Sequence, residues 1–589
     1  MRSRPRLLAG FASLAVAFFL IIRPLPAPAA VGDVAWPTYG FDYANTRHVS
    51  RTGIDPKHVR SLRIAWEFRA SARGSMESSP IVVGEMLYVT TGDDDSTYAL
   101  DAASGVPRWE YTPRLSAVAQ CCGRVNRGVA VDDRHVYLAT LDARLIALDR
   151  RTGELRWEVQ VGDPLAGYSE TMAPLVWGGM VFVGSSGAEF GVRGCFTAYR
   201  ASDGAQLWRW WSVAPDWEGS YVAAVHGVPL NRDVALERAA APAFREAWQH
   251  GGGTVWMTPA LDPRRGTIYL STGNPSPNYS GLTRPGDNLF TDSIVALNAR
   301  TGAMRWYYQE TPHDVWDYDA GSPPFLLDVL DRSGRRVPAV AEAGKTGWLY
   351  VLNRDTGALI RVSQNFVPQR HLYKSPYAQS SIMEPGALGG AIGPVSYDPV
   401  LSRAFVAAID MPSTHSPTTP QPWRPAVLWP AGDSEELRYA LFSVSALDVN
   451  TGRIAWRRYL SSGKGGPYSK SFMGGSLSAG GIVFVPDPNG VLYAFDARSG
   501  RQLWRQVIAE TDEGWAANHR SARQWLQDAF MSVHHALFGQ PELPKVSARL
   551  DGPPVLYRLR GREYLALSAD VYSRDGSDHD LLVVFALPR

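Results

Sequence analysis

The sequence predicts an all-β fold: an eight-bladed β-propeller with tryptophan-docking motifs, plus loop and helical insertions on one face. Three observations point there. One hairpin motif recurs along the chain, its copies lie about 50 residues apart or about twice that, and the composition suits short strands and tight turns. Twenty tryptophans, 55 glycines and 42 prolines in 589 residues would be a heavy load for a helical protein.

The motif is clearest in TYALDAASGVPRW (97–109), LIALDRRTGELRW (145–157), IVALNARTGAMRW (294–306), VSALDVNTGRIAW (444–456) and LYAFDARSGRQLW (492–504). Weaker copies are FTAYRASDGAQLW (196–208) and LYVLNRDTGALIR (349–361), the latter with Arg361 in place of tryptophan. Alternating apolar residues form a strand, an Asp or Asn with Thr/Ser-Gly turns it, and the tryptophan lies on the returning strand. The turn glycines (Gly105, Gly153, Gly204, Gly302, Gly357, Gly452 and Gly500) supply the positive φ. The tryptophans are expected to wedge between blades. Trp66 ends a similar strand near the N-terminus, and LLVVFALPR (581–589) is expected to close the ring with it.

Residues 1–30 have the basic, apolar, small-residue layout of a secretory signal, so export to the periplasm is expected, with residues 31–589 as one propeller domain. No later segment is long and apolar enough to span a bilayer. Three cysteines cannot form a disulfide framework, and a net charge of +2 argues against nucleic acid as a partner. Insertions are expected at about 212–250, 411–440 and 510–545. The first two read as loops. Within the third, residues 514–539 show helical apolar spacing, with His519, His534 and His535 read as surface residues.

Several short segments carry candidate chemistry. The adjacent pair Cys121–Cys122 is unusual, and the residues alone leave open a bond from either to Cys195 or two free thiols. GSSGAEFGVRG (184–194) sets Glu189 in a glycine-rich loop, and STGNPSPNYSG (271–281) sets Asn274 in a turn; both can serve a hard cation, and both also read as simple turns. TPHDVWDYDAG (311–321) holds Asp314, Asp317 and Asp319 among aromatics. In an extended segment Asp317 and Asp319 share a side, and two like charges there call for a cation or a proton between them. HGGGTVWMTP (250–259) offers Trp256 as an aromatic platform, against the strong alternative of a blade-packing residue. Lys345 in EAGKTGWLY precedes a strand, and nothing local separates it from a solvated lysine.

Taken in order, CC-x-x-V-N-R-G, S-S-G-A-E, G-G-G-x-x-W, T-G-N-P, P-H-D-x-W-D-Y-D and K-T-G on such a propeller resemble the pyrroloquinoline quinone (PQQ)-dependent alcohol dehydrogenases of the methanol/ethanol dehydrogenase family. The resemblance implies a Cys121–Cys122 disulfide plate on one face of the quinone and Trp256 on the other. It implies cofactor contacts from Glu77, Arg127, Thr171, Ser186, Gly187, Ala188 and Lys345. Glu189 and Asn274 match metal ligands, and Asp317 matches the catalytic base. Asp319 resembles the extra ligand of lanthanide-dependent members, so the expected cofactors are PQQ and one metal ion, calcium or a lanthanide. The expected reaction is oxidation of a small, primary alcohol to the aldehyde, with electrons passed to a separate exported cytochrome c, since no C-x-x-C-H occurs. Two departures stand out. Around residues 385–394 many relatives have Gly-Gly-x-Asn-Trp, whereas here Ala391 and Ile392 follow Gly390, and Met473 stands where a relative can have tryptophan. The competing readings are an inactive binding or assembly scaffold and a sugar or polyol dehydrogenase using the same cofactor.

Overall fold

The computed structural model describes residues 33–588, apart from 71–75, 117–120, 378–381, 438–439, 464–473, 509–545 and 574–578. The signal segment, Met473, the expected helix over 514–539 and its three histidines lie outside the described residues.

The described strands form eight sheets of four or five strands, antiparallel except where His48–Val49 pairs in parallel with Leu477–Ala479, and two small accessory sheets. In chain order, sheet 1 spans residues 81–111, sheet 2 130–160, sheet 3 175–211, sheet 4 260–309, sheet 5 325–362, sheet 6 396–463 and sheet 7 477–507. Sheet 8 is shared between the two ends of the chain: Arg63–Ala70 pairs with His579–Ala586, register Arg63 to Ala586 through Ala70 to Asp580. That is the closure expected from Trp66 and the C-terminal strand.

The motif tryptophans set the ring order, because each docks on the turn glycine of the next sheet. A Cβ added to Gly153, Gly204, Gly302, Gly357 or Gly500 would lie within 2.7 Å of Trp109, Trp157, Trp208, Trp306 or Trp456 respectively, and Gly105 faces Trp66 as closely. The glycines have φ between 69° and 75°, so the same residue satisfies the turn and the close approach. The indole N–H then donates to the carbonyl three residues before the glycine: Trp109 to Arg150, Trp157 to Ala201, Trp208 to Ala299, Trp306 to Arg354 and Trp456 to Ala497, all at 3.1–3.2 Å. Arg361 reproduces this geometry without a ring. Its Nη1 donates to Val449 O at 2.9 Å and its methylenes cover Gly452. Trp66 lacks the hydrogen bond, and the Tyr557 hydroxyl donates to Ala102 O at 2.6 Å instead. Trp504 meets Phe585 edge-on at 5.8 Å between sheets 7 and 8.

Strand directions alternate within each sheet, the added strand His48–Val49 aside. The turns between third and fourth strands, which carry the motif glycines, therefore lie at one end of the ring. The connections between second and third strands, and from each sheet to the next, lie at the other. Residues 212–250 and 411–440 belong to the second class, which puts both insertions on one face. Neither is merely a loop. The first contains a two-stranded ribbon (Ala224–Val225 with Val228–Pro229) and a helix, Val234–Ala240, capped by Asp233. The second is a hairpin, Ser413–Pro417 with Gly432–Glu436, joined by Ile382–Met383 into a three-stranded sheet.

The N-terminal segment crosses the inner strands at this same end. Carbonyls of Tyr43, Ala44, Thr46 and Arg47 accept from the N–H of Leu261, Leu326, Tyr397 and Ser478, one near the start of each innermost strand of sheets 4 to 7. Arg47, fully buried, donates to the carbonyls of Tyr39, Ser476 and Pro554. Burial lowers its pKa to about 10, and the carbonyls satisfy the charge that water cannot reach.

Gly302→Ala would place a methyl 2.5 Å from the Trp208 ring at a φ of 72°. Clash and backbone strain together are expected to lower stability by about 2–4 kcal/mol. A urea titration of the variant checks this.

Candidate active site

Every residue singled out for cofactor or metal lies on the face opposite the motif turns. Glu77, Arg127, Thr171, Trp256, Asp317 and Asp319 sit in connections leading into sheets 1, 2, 3, 4 and 5. Ser186 to Glu189, Asn274 and Lys345 sit between the second and third strands of sheets 3, 4 and 5. The topology thus brings residues up to 268 positions apart to one face.

The first cluster is cationic and rich in donors. Arg127 Nη2 lies 2.8 Å from Glu77 Oε2, with both side chains almost fully buried. Its Nη1 donates to Thr171 Oγ1 at 2.8 Å and Trp256 O at 3.3 Å, and Thr171 Oγ1 lies 2.8 Å from Ser186 Oγ. The guanidinium carbon stands 5.1 Å over the Trp256 ring, and Nε has no partner among the described residues. A buried guanidinium with an unused donor beside an aromatic face is suited to a planar anionic ligand. Trp256 docks on none of the motif glycines, so the blade-packing alternative does not hold for it.

The second cluster is anionic. Lys345, its side chain 5% exposed, places Nζ 3.0 Å from Asp317 Oδ1 and 2.5 Å from Asp319 Oδ2, and also donates to Asp317 O. Asp319 Oδ1 accepts from Asn274 N at 2.8 Å. Glu189 lies near enough for Asp319 to raise its pKa and Lys345 to lower it, after burial, which raises it most. Burial likewise pushes Asp317 well above the ordinary carboxylate range, with Lys345 pulling down and Asp319 pushing up. For Lys345, burial lowers the pKa, but Asp317 and Asp319 outweigh it and the net shift is upward. Three carboxylates therefore face one ammonium, a donor set that fits a further cation.

The two clusters meet at Gly273, where a Cβ would lie 2.7 Å from Asp319 Oδ1 and 3.0 Å from Trp256 Nε1. Cys121 and Cys122 are disulfide-bonded to each other across a Cα separation of 3.8 Å, and Cys195 is a buried free thiol. Both disulfide sulfurs and a Glu189 oxygen lie within 4.8 Å of one another. The disulfide therefore adjoins Glu189, while Trp256 adjoins Arg127 directly and Asp319 across Gly273. Gly187 and Ala188 frame the Glu189 loop, with Ala188 O accepting from the Ser276 hydroxyl.

Local sequence explains how these loops are held. The glycine triplet at 251–253 lies between the Glu189 and Asn274 loops, and Gly252 bridges Arg193 on one side and Pro275 on the other. A side chain at Gly252 would strike Asn274 O and Ser276 N at 2.7 and 2.8 Å. The aspartate loop differs from the extended segment expected. His313 and Asp317 have φ of 55° and 66°, and Asp314 holds the turn by accepting from the N–H of Trp316 and Tyr318 at 2.8 and 2.7 Å. Asp317 and Asp319 converge because the turn and Lys345 draw them together, not through strand alternation. Ile392, one of the departures, packs with Met257 against Trp256.

Sequence reasoning missed three contributors. Tyr279, inside a quoted segment but not singled out, donates to Asp317 Oδ2 at 3.3 Å. The 411–437 insertion roofs the metal-type loop: Trp429 N donates to Glu189 O and Trp423 Nε1 to Phe190 O, both at 2.7 Å. Asn45 forms part of the floor, donating to the carbonyls of Thr258 and Pro324. Only the aromatic richness of PQPWRPAVLWP (420–430) could have signalled the roof.

The family model described as "Glucose/ethanol/alcohol dehydrogenase, beta-propeller domain" matches residues 36–373, and one described as "Outer membrane protein assembly factor BamB" matches 441–522. The chain is 32% identical to a quinohemoprotein alcohol dehydrogenase of Comamonas testosteroni, over 80% of this chain and 68% of that one. It is 31% identical to a lanthanide-dependent methanol dehydrogenase of Methylorubrum extorquens, over 79% and 81%. Among solved structures, the Comamonas testosteroni enzyme superposes with a TM-score of 0.75 at 27% identity, covering 94% of this chain and 80% of that one. A europium-containing methanol dehydrogenase gives 0.75 at 25% identity, covering 94% and 98%. The chain belongs to the PQQ-dependent alcohol dehydrogenase family, whose members use PQQ with one metal ion.

Proposed function

We propose that this enzyme oxidises a primary alcohol to the aldehyde in the periplasm and passes its electrons to a separate cytochrome c. The observation that carries the reading is the convergence of Asp317, Asp319, Glu189 and Lys345 beside Trp256, Arg127 and the Cys121–Cys122 disulfide. When bound, PQQ supplies an electrophilic carbonyl that takes up the alcohol's hydride, and the metal ion supplies the charge that polarises it.

The chain's own residues do the rest. Arg127, Thr171, Ser186, Gly187, Ala188 and Glu77 hold the quinone's polar edge, while Trp256 and the vicinal disulfide hold its faces. Glu189, Asn274, Asp317 and Asp319 hold the metal, with Asp319 adding the negative charge that suits a trivalent lanthanide. Asp317 accepts the hydroxyl proton as the hydride leaves the same alcohol. Burial strengthens it as a base by disfavouring its ionised form, which makes proton uptake more favourable than for an exposed aspartate. Lys345, ion-paired with both aspartates, would supply positive charge to the quinone oxygens of the bound cofactor.

The direct test is dye-linked turnover of a short primary alcohol by the signal-free protein with PQQ and either calcium or lanthanum. Asp317→Asn is expected to lose at least about 100-fold in kcat while still binding PQQ. Asp319→Ala is expected to weaken lanthanum binding at least about ten-fold and calcium binding less, read by metal titration. Wild-type protein that binds PQQ but oxidises no alcohol would refute the reading.

Lys345 also generates a stability prediction for the metal-free protein. A carboxyl whose folded pKa is raised stabilises the fold below its unfolded pKa, and that contribution is lost as pH rises through the folded value. Lys345→Met removes the ammonium that offsets this for Asp317. Denaturation in chelator should show a loss of about 3–5 kcal/mol at pH 8 and a smaller loss at pH 5.

A further inference from the structure

Asp317 has two carboxylate oxygens, and the structure gives each a different donor. Oδ1 faces the Lys345 ammonium at 3.0 Å, and Oδ2 accepts from the Tyr279 hydroxyl at 3.3 Å. The second contact is long, as catalytic hydrogen bonds often are before ligands bind. Tyr279 is not held by its own loop alone. Its N–H donates to Pro430 O at 3.0 Å, its ring meets His415 edge-on at 5.1 Å, and its Cβ packs where Gly432 leaves no room for a side chain. His415 is itself buried, with Nε2 2.9 Å from Ser413 Oγ. The 411–437 insertion that roofs Glu189 therefore also seats the tyrosine against the base.

We propose that Tyr279 is a positioning residue for Asp317: its phenol holds Oδ2 so that Oδ1 is presented to the alcohol hydroxyl, and the 411–437 roof fixes the phenol there. This rests on the dehydrogenase reading. The chemistry favours a phenol for the task. An ammonium on the base lowers its proton affinity, whereas a neutral hydroxyl orients the carboxylate at a smaller electrostatic cost. Lys345 cannot serve both as a lasting partner of Asp317 and as a donor to the quinone. Tyr279 holds Oδ2 independently of Lys345, which pairs with Oδ1. The same ring lies on the Oδ2 side of Asp317, packed edge-on against His415.

The test is Tyr279→Phe, which keeps the ring and its packing and removes only the hydroxyl, in protein loaded with PQQ and metal. The expected result is a roughly ten-fold fall in kcat with KM, PQQ affinity and metal affinity each within about two-fold of wild type. Affinities are read by titrating the apo protein, independently of turnover. Tyr279→Leu, which also removes the ring contact with His415, is expected to lower thermal stability as well as kcat. An unchanged kcat in Tyr279→Phe, with active wild type, overturns the proposal. So does a parallel loss of cofactor affinity and kcat, which would make the hydroxyl structural. Wild type without PQQ-dependent turnover instead refutes the underlying reading.

Discussion

The contact on which the molecule depends is a tryptophan lying flat over a glycine that has no room for a side chain. It recurs around the ring and does two things at once. The missing Cβ lets the indole seal the joint between neighbouring sheets, and the indole N–H satisfies a turn carbonyl that would otherwise be left exposed at that joint. Arg361 shows that the ring itself can be replaced. It supplies no aromatic ring, yet it donates to the same carbonyl and covers the same glycine. Trp66 covers its glycine without the hydrogen bond, so what every such joint shares is a long side chain over the glycine, which tryptophan supplies with the most buried apolar area.

Docking fixes the sheets side by side, and the alternation of strands then fixes which loops can meet. Each sheet offers two connections to the functional face, and the site draws on both kinds from sheets 3, 4 and 5. No single loop holds enough chemistry to act. Glu189, Asn274 and Lys345 arrive on inner turns of three successive sheets, and Asp317 and Asp319 on the connection between two of them. The ion pairs of Lys345 with both aspartates record the outcome: the ring forces more negative charge together than one ammonium can offset. A rigid scaffold can sustain such an arrangement, whereas an isolated loop would turn its carboxylates toward water.

What could be read from the sequence follows the range of the interaction. The hairpin motif is local, since its strand, turn and docking residue fall within 13 positions, so its copies were visible as a period and Trp66 could be matched to the C-terminal strand. The site was visible only through resemblance to a family. Taken singly, Asn274 is a turn residue, Lys345 a surface lysine and Trp256 one tryptophan of twenty. The turn at Asp317 escaped because Asp314, the residue that bends it, was counted among the acids rather than as the cap for two backbone N–H groups. The N-terminal floor was not readable at all. Four of its ties are backbone carbonyls, which carry no sequence signature, and nothing local marks Asn45 and Arg47 as its side-chain ties.

That floor and the roof over Glu189 bear on the chemistry although neither supplies a reactive group. An aspartate exposed to water is a weak base, and what lifts Asp317 is first of all burial. Asp317 is walled by the site loops, and those loops rest on the segment around Arg47 and Asn45 below and meet the 411–437 hairpin above. Arg47 ties sheets 7 and 8 to that segment through Ser476 and Pro554, so the floor is held by the same sheets that close the ring. Ring closure is thus coupled to the environment of the base. A change that loosens the joint between the chain ends would admit water beneath the site, and it would weaken Asp317 without touching any residue that contacts it.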